Sequence, residues 1–319
     1  MSLFRRALRI FLLVSGVIAG MITVIAAFFS RLLINPPRQR LWTTPSSLGL
    51  PYEEVQFPAR DGLRLSGWFI PRKRANQRGT DTTIILVHGW PWNRLGSANE
   101  NILTDIPGSM PVDLLHLAHA LHTVGYNVFM FDMRNHGQSA ASRPVTFGLN
   151  EANDLLGAVD HLSGRDDIDN GRLGVIGFSA GANTILYALP HTDRIKAAVA
   201  VQPTSPRVFT VRYAHWLLGP LGKPVLLLAA LIYQLASGMR LQAIEPTFAA
   251  SGARNTPILF VQGTGDPWGT IEDVAGMAAA TPLTIKPLFV ETSGRFSGYH
   301  YIIDHPEVAA AFFWEHIGQ

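Results

Sequence analysis

The chain has 319 residues, of which 47% are hydrophobic and only 15% charged, with a formal net charge of +3. Soluble domains carry about 25% charged residues, so part of this chain is expected to meet something other than water. The small basic excess forms no dense Lys/Arg stripe, which argues against a nucleic-acid partner, and the lack of cysteine excludes disulfides, thiolate metal sites and a cysteine nucleophile.

Residues 10–29 read IFLLVSGVIAGMITVIAAFF without a charge. That is the length of about 20 residues a helix needs to cross a hydrocarbon core, and too long for the apolar region of a secretory signal. Arg5, Arg6 and Arg9 precede the run, while Arg31, Arg38 and Arg40 follow it. The reading is a single-pass anchor over residues 1–34, with the remaining domain extracytoplasmic. Gly16 and Gly20 have GxxxG spacing, a weak sign of helix pairing. Pro36 and Pro37 stop the helix, and residues 35–51 read as a linker.

Two strands, around 54–57 and 63–70, flank a turn at Asp61-Gly62. The polar Arg72-Lys73-Arg74 reads as an exposed turn, with lipid headgroups as the alternative contact. The run at 83–87 is typical of a strand buried on both faces. A helix is expected over 112–124, a strand over 127–131 and a helix over 150–162. Strand 173–178, helix 180–189 and strands 197–201, 258–261 and 288–291 follow, and helix 306–317 closes the chain. This alternation predicts an α/β fold with a mostly parallel sheet flanked by helices and an antiparallel hairpin at one edge. Residues 203–256 are too long for a crossover and apolar on most faces; they read as a helical cap. The core is then divided into residues 52–202 and 257–319.

Chemistry is suggested first by Gly177-Phe178-Ser179-Ala180-Gly181, directly after a strand and before a helix. A G-x-S-x-G in that context is a sharp turn that holds the serine above the sheet, and Ser179 is the expected nucleophile. A serine needs a base, and the base an orienting acid. Asp266, in the loop after strand 258–261, and His300, in the loop read after the last strand, supply them in the chain order of this architecture. The oxyanion would be held by the backbone amides of Ala180 and Trp90, since Gly89 permits the turn and Pro91 has no N–H. Asp273 is expected inside a helix. His116, His119 and His122 recur at helical spacing without a carboxylate to complete a metal site. With no dinucleotide or phosphate-loop pattern either, no cofactor and no metal are expected.

Together DGLRLSGW at 61–68, VHGW at 87–90, FDMRNHGQS at 131–139, GFSAG, GTGDPW and GYH resemble the α/β-hydrolase superfamily, in its serine aminopeptidase and monoacylglycerol lipase branch. The resemblance runs from about Tyr52 to the C-terminus and implies an α/β-hydrolase fold with serine-hydrolase chemistry. Asp132, Arg134, His136 and Gly137 resemble a structural turn of that family. The expected activity is cleavage of a carboxylic ester, small or lipid-like, at a membrane. A peptidase or amidase, or a binding protein without turnover, are the alternatives. The resemblance implies no oligomeric state.

Overall fold

The computed structural model describes residues 2–72, 81–101, 104–254, 256–283 and 285–318. Lys73 and Arg74 of the basic triplet lie outside them; Arg72 pairs with Asp81 at 2.5 Å.

Helix α1 (Ser2–Ile34) is followed by strands β1 (Glu53–Pro58), β2 (Arg64–Ile70) and β3 (Thr83–Val87). Next come α2 (Leu114–Thr123), β4 (Asn127–Asp132), α3 (Ala152–Ser163), β5 (Leu173–Phe178), α4 (Ala180–Ala188) and β6 (Ile195–Val201). Helices α5 (Pro206–Leu218), α6 (Gly222–Ser237) and α7 (Pro246–Ala250) then lead to β7 (Ile258–Gly263). Helix α8 (Ile271–Ala280), β8 (Leu288–Val290), α9 (Arg295–Asp304) and α10 (Pro306–Ile317) complete the domain.

The eight strands form one sheet in the order β1-β2-β4-β3-β5-β6-β7-β8. Within this sheet, among the described residues, only the β1–β2 pair, as the hairpin at 61–62 implies, and the β2–β4 pair are antiparallel. Every residue of β3, β4, β5 and β7 is buried, because apolar clusters cover both faces of the sheet. All the parallel strands end on one edge, so the loops after β3, β5, β6, β7 and β8 share that edge.

Two expectations change. Residues 35–51 are not a free tether. The Gln39 amide donates to Asp105 at 2.7 Å, Asn93 donates to the Arg40 carbonyl at 3.0 Å, and Leu50 is buried. The stretch after β8, read as a loop, is helix α9, which turns buried side chains at Arg295, Phe296, Tyr299, Ile302 and Ile303 inward at helical spacing. Of the three histidines at helical spacing, His122 is buried and hydrogen-bonds the Pro71 carbonyl at 3.0 Å.

Helix α1 is long and apolar enough to cross a membrane by length and composition. Its last turns join the domain. Ser30 Oγ donates to the Ala229 carbonyl of α6 at 3.0 Å, and the Leu33 carbonyl accepts from the Val145 amide at 2.9 Å.

Candidate active site

Ser179 sits between β5 and α4 at φ 53° and ψ −114°, a strained conformation for a residue other than glycine. The glycines on either side make the turn possible. A Cβ on Gly181 would lie 2.3 Å from the Val87 carbonyl oxygen, and one on Gly177 would lie 2.5 Å from the Gly181 carbonyl oxygen. The G-x-S-x-G pattern is therefore a packing requirement, and it puts Ser179 in a pocket with Ala180, Trp90, Trp268, Phe209 and Tyr299. The two residues expected to offer oxyanion amides thus share the pocket of the serine.

Asp266 follows β7 and is buried. Its Oδ1 accepts from the Trp268 amide at 2.8 Å, an Asx turn within its own loop. Its Oδ2 accepts from Gln262 Nε2 at 3.2 Å and from Arg295 Nη1 at 2.5 Å.

The arginine overturns the expected base. Arg295 Nη2 donates to Ser179 Oγ at 3.1 Å, so its guanidinium stands between Ser179 and Asp266, where the imidazole of a triad would stand. His300 is elsewhere: its Nε2 donates to the Pro111 carbonyl at 2.8 Å. The reason is helical geometry. Arg295 and Tyr299 are four residues apart and share a face of α9, whereas His300 is five residues from Arg295, about 140° around the axis at 100° per residue. In a loop His300 would have been free to turn inward; in α9 it is not.

Arg295 is held from all sides. Nη1 also donates to Thr204 Oγ1 at 3.1 Å, and Nη2 to the Gln202 carbonyl at 3.0 Å. The Gln202 amide donates in turn to the Arg295 carbonyl. Gly298 has no side chain because that same amide occupies the space: a Cβ there would lie 2.5 Å from it. Burial opposes the guanidinium charge, but Asp266 and Tyr299 outweigh it, and the pKa lies above its ordinary value. The Tyr299 phenol is pushed up, mainly by burial. A guanidinium can stabilise an alkoxide but cannot accept the proton whose loss creates it. A phenol with a raised pKa is a poor acceptor as well.

Other buried polar groups near the sheet edge hold the fold together. Asp132 accepts from the Arg94 and Gln138 amides and pairs with the Arg94 guanidinium at 2.8 Å. His88 Nε2 accepts from the Met133 amide at 3.0 Å while Nδ1 donates to the Gly89 carbonyl at 2.7 Å. Burial brings the His88 pKa down to about 3, so the ring stays neutral. Asp273, within α8 as expected, accepts from the backbone and side chain of Ser205 at 2.8 and 2.9 Å and ties the start of α5 to α8. Among the described residues, the indole N–H donors of Trp90 and Trp268, two residues that line the pocket, are buried without a partner.

A family model for the α/β-hydrolase fold matches residues 82–222. The uncharacterized protein YfhR of Escherichia coli K12 is 33% identical over 142 residues, 44% of this chain and 43% of that protein. The α/β-hydrolase domain-containing protein WAV2 of Arabidopsis thaliana is 29% identical over 189 residues, 58% of this chain and 54% of its own. The chain thus spans about half the length of the curated relatives it matches. Among solved structures, the Pyrococcus furiosus esterase Pf2001 superposes with a TM-score of 0.66 at 23% identity, covering 89% of this chain and all of that one. The chain has the α/β-hydrolase fold.

Proposed function

We propose that this α/β-hydrolase-fold chain binds a neutral carboxylic ester in the Ser179 pocket and that its resting geometry withholds acyl transfer. One observation carries the reading: Arg295 bridges Ser179 and Asp266. Attack by Ser179 on a carbonyl requires Oγ to lose its proton, and the group in reach is already fully protonated. The ligand is neutral because Asp266 offsets the Arg295 charge and every guanidinium nitrogen that faces the pocket is already engaged. The lining of the pocket includes Ala180 and also Trp90 and Trp268, whose buried indole N–H groups have no partner among the described residues. Unmet buried donors favour a ligand with acceptor oxygens. A peptide amine would need a free carboxylate, and the described lining of the pocket includes none. That weakens the peptidase and amidase reading.

The test is a fluorophosphonate probe together with a panel of p-nitrophenyl esters. The expected result is no labelling of Ser179 and no turnover above the Ser179→Ala variant. Labelling and turnover that vanish in Ser179→Ala would overturn the reading. They would favour the second one, ester hydrolysis through an acyl-enzyme on Ser179, with the Trp90 and Ala180 amides holding the oxyanion after Arg295 withdraws. That second reading draws on the strained serine turn, which a pure binding site does not require, and on the esterase among the structural neighbours. In either case α1 is proposed to tether the domain to a membrane.

A further inference from the structure

Away from the Ser179 pocket, a polar cavity of about 380 Å³ opens between residues 38–42 and residues 98–101 and 104–105, within the range of small-molecule sites. Much of its polar lining is committed to the fold. Arg38 Nη1 donates to the carbonyls of Gly137 and Ser139. The Asp105 carboxylate accepts from Gln39 Nε2 at 2.7 Å and from the Asn101 amide at 2.9 Å. Asn99 donates to the Ser109 carbonyl at 2.9 Å and accepts from the Ser109 hydroxyl at 2.6 Å. Two charges in the lining are not committed. The side chains of Arg40 and Glu100 are exposed and make no hydrogen bond or ion pair among the described residues, with each other or with any third group.

Those two charges stand on braced backbone. The Arg40 carbonyl accepts from Asn93 Nδ2 at 3.0 Å, and Glu100 lies between the bonded Asn99 and Asn101. A cation and an anion are thus held around one cavity without neutralising each other. A ligand with a single charge would satisfy one and be repelled by the other; a ligand carrying both, set apart, satisfies both. Trp42 lines the same cavity and is 39% exposed, as suits a ring at the headgroup level of a bilayer. The uncharged run of α1 closes at Phe29 and Arg31 follows it; Arg38 to Trp42 come four to eight residues after Ile34, the end of the helix. If α1 crosses a membrane, the cavity opens beside its headgroups.

We infer that this cavity binds a phosphoethanolamine group, the headgroup of a zwitterionic phospholipid. Arg40 takes the phosphate, whose oxygens match the planar fork of a guanidinium. Glu100 takes the ammonium, whose N–H donors a carboxylate accepts, and Trp42 flanks the carbons between. A uniformly basic collar would select anionic lipid; Glu100 turns the selection toward a headgroup with no net charge. The site is separate from Ser179, and it rests on the proposed tethering by α1 only for the source of the headgroup.

Native mass spectrometry of the full chain in maltoside micelles tests it, with dihexanoyl phosphatidylethanolamine, its phosphatidylcholine and phosphatidylglycerol counterparts, and soluble glycerophosphoethanolamine as probes. Phosphatidylethanolamine should bind about tenfold more tightly than either other lipid, and Arg40→Gln and Glu100→Gln, both at exposed positions, should each remove about tenfold in affinity. The exchange Arg40→Glu/Glu100→Arg should regain most of that loss. Phosphatidylglycerol bound as tightly as phosphatidylethanolamine, with Glu100→Gln silent, overturns the inference in favour of a plain basic patch. Phosphatidylcholine bound as tightly overturns it too, since a quaternary ammonium has no N–H for Glu100, and so does the absence of any adduct. Glycerophosphoethanolamine bound as well as the lipid upholds the site and makes its ligand soluble; adducts with the lipid alone uphold the site and its membrane source. Alkaline carbonate extraction of membranes that contain the chain reads the tether separately, so a failed anchor and a failed headgroup site are told apart.

Discussion

Replacing Arg295 by methionine tests whether the guanidinium is a clamp or a bystander. The arginine and Asp266 are both almost fully buried and meet at 2.5 Å. Removing one partner of such a pair costs about 3–5 kcal/mol, because the surviving charge stays buried. Two losses contribute here. Asp266 keeps only the Trp268 amide and Gln262, and the acceptors at Thr204, Ser179 and Gln202 lose their donor. The second loss is worth about 1 kcal/mol per bond, so part of the cost should survive when the charge is removed too. In the double variant Arg295→Met/Asp266→Asn the buried charge is gone, and about half of the loss should return. Urea unfolding of the detergent-solubilised chain reads this directly, since Trp90 and Trp268 adjoin the cluster and report by fluorescence. A single-variant cost below about 1 kcal/mol, or strict additivity in the double variant, would refute the picture of a buried, coupled pair.

Three further outcomes follow from the same geometry. Arg295→His puts an imidazole in the first turn of α9 facing Asp266; ester turnover should rise above the parent by about 10²–10⁴, the usual contribution of a positioned acid–base group, and turnover that stays at the parent level in a folded variant would count against Arg295 as the block. His300→Ala should leave ester binding unchanged and cost about 1 kcal/mol for its bond to Pro111, whereas a large change in binding would return His300 to the site. Stability should fall on acidification below about pH 6.5: His88 is held near 3 in the folded chain by burial, the unfolded chain takes up that proton first, and the loss approaches about 1.4 kcal/mol per pH unit between those values. His136, lowered in the same direction mainly by burial, steepens the slope, and a flat urea midpoint between pH 7 and pH 5 would contradict both.

The sheet was legible because its signals are local. The run at 83–87 has only one comfortable environment, and the glycines around Ser179 report a turn that leaves no room for a Cβ. Asp266 could be located because it needs only to follow a strand. The base could not, since its identification depended on which face of an unrecognised helix looks inward. Gly298-Tyr299-His300 imitates a glycine-supported histidine, yet Gly298 is there for the Gln202 amide. A signal was present: Phe296, Tyr299 and Ile303 repeat at helical spacing, which marks α9 and sends His300 away from the sheet. The arginine carries no such signal, because a guanidinium is no proton acceptor. The packing of residues 35–51 rests on partners such as Asp105, 66 positions from Gln39, and nothing near in sequence announces it.

The bond between Ser30 and the Ala229 carbonyl, with Leu33 accepting from Val145, bears on how this protein can be handled. A recombinant version cut just before Asn35 to gain solubility would bare Val225 and Ala229 to water. Such a product should aggregate or cling to detergent, so the customary shortcut of discarding the leading helix would yield a poorer specimen than the intact chain in micelles.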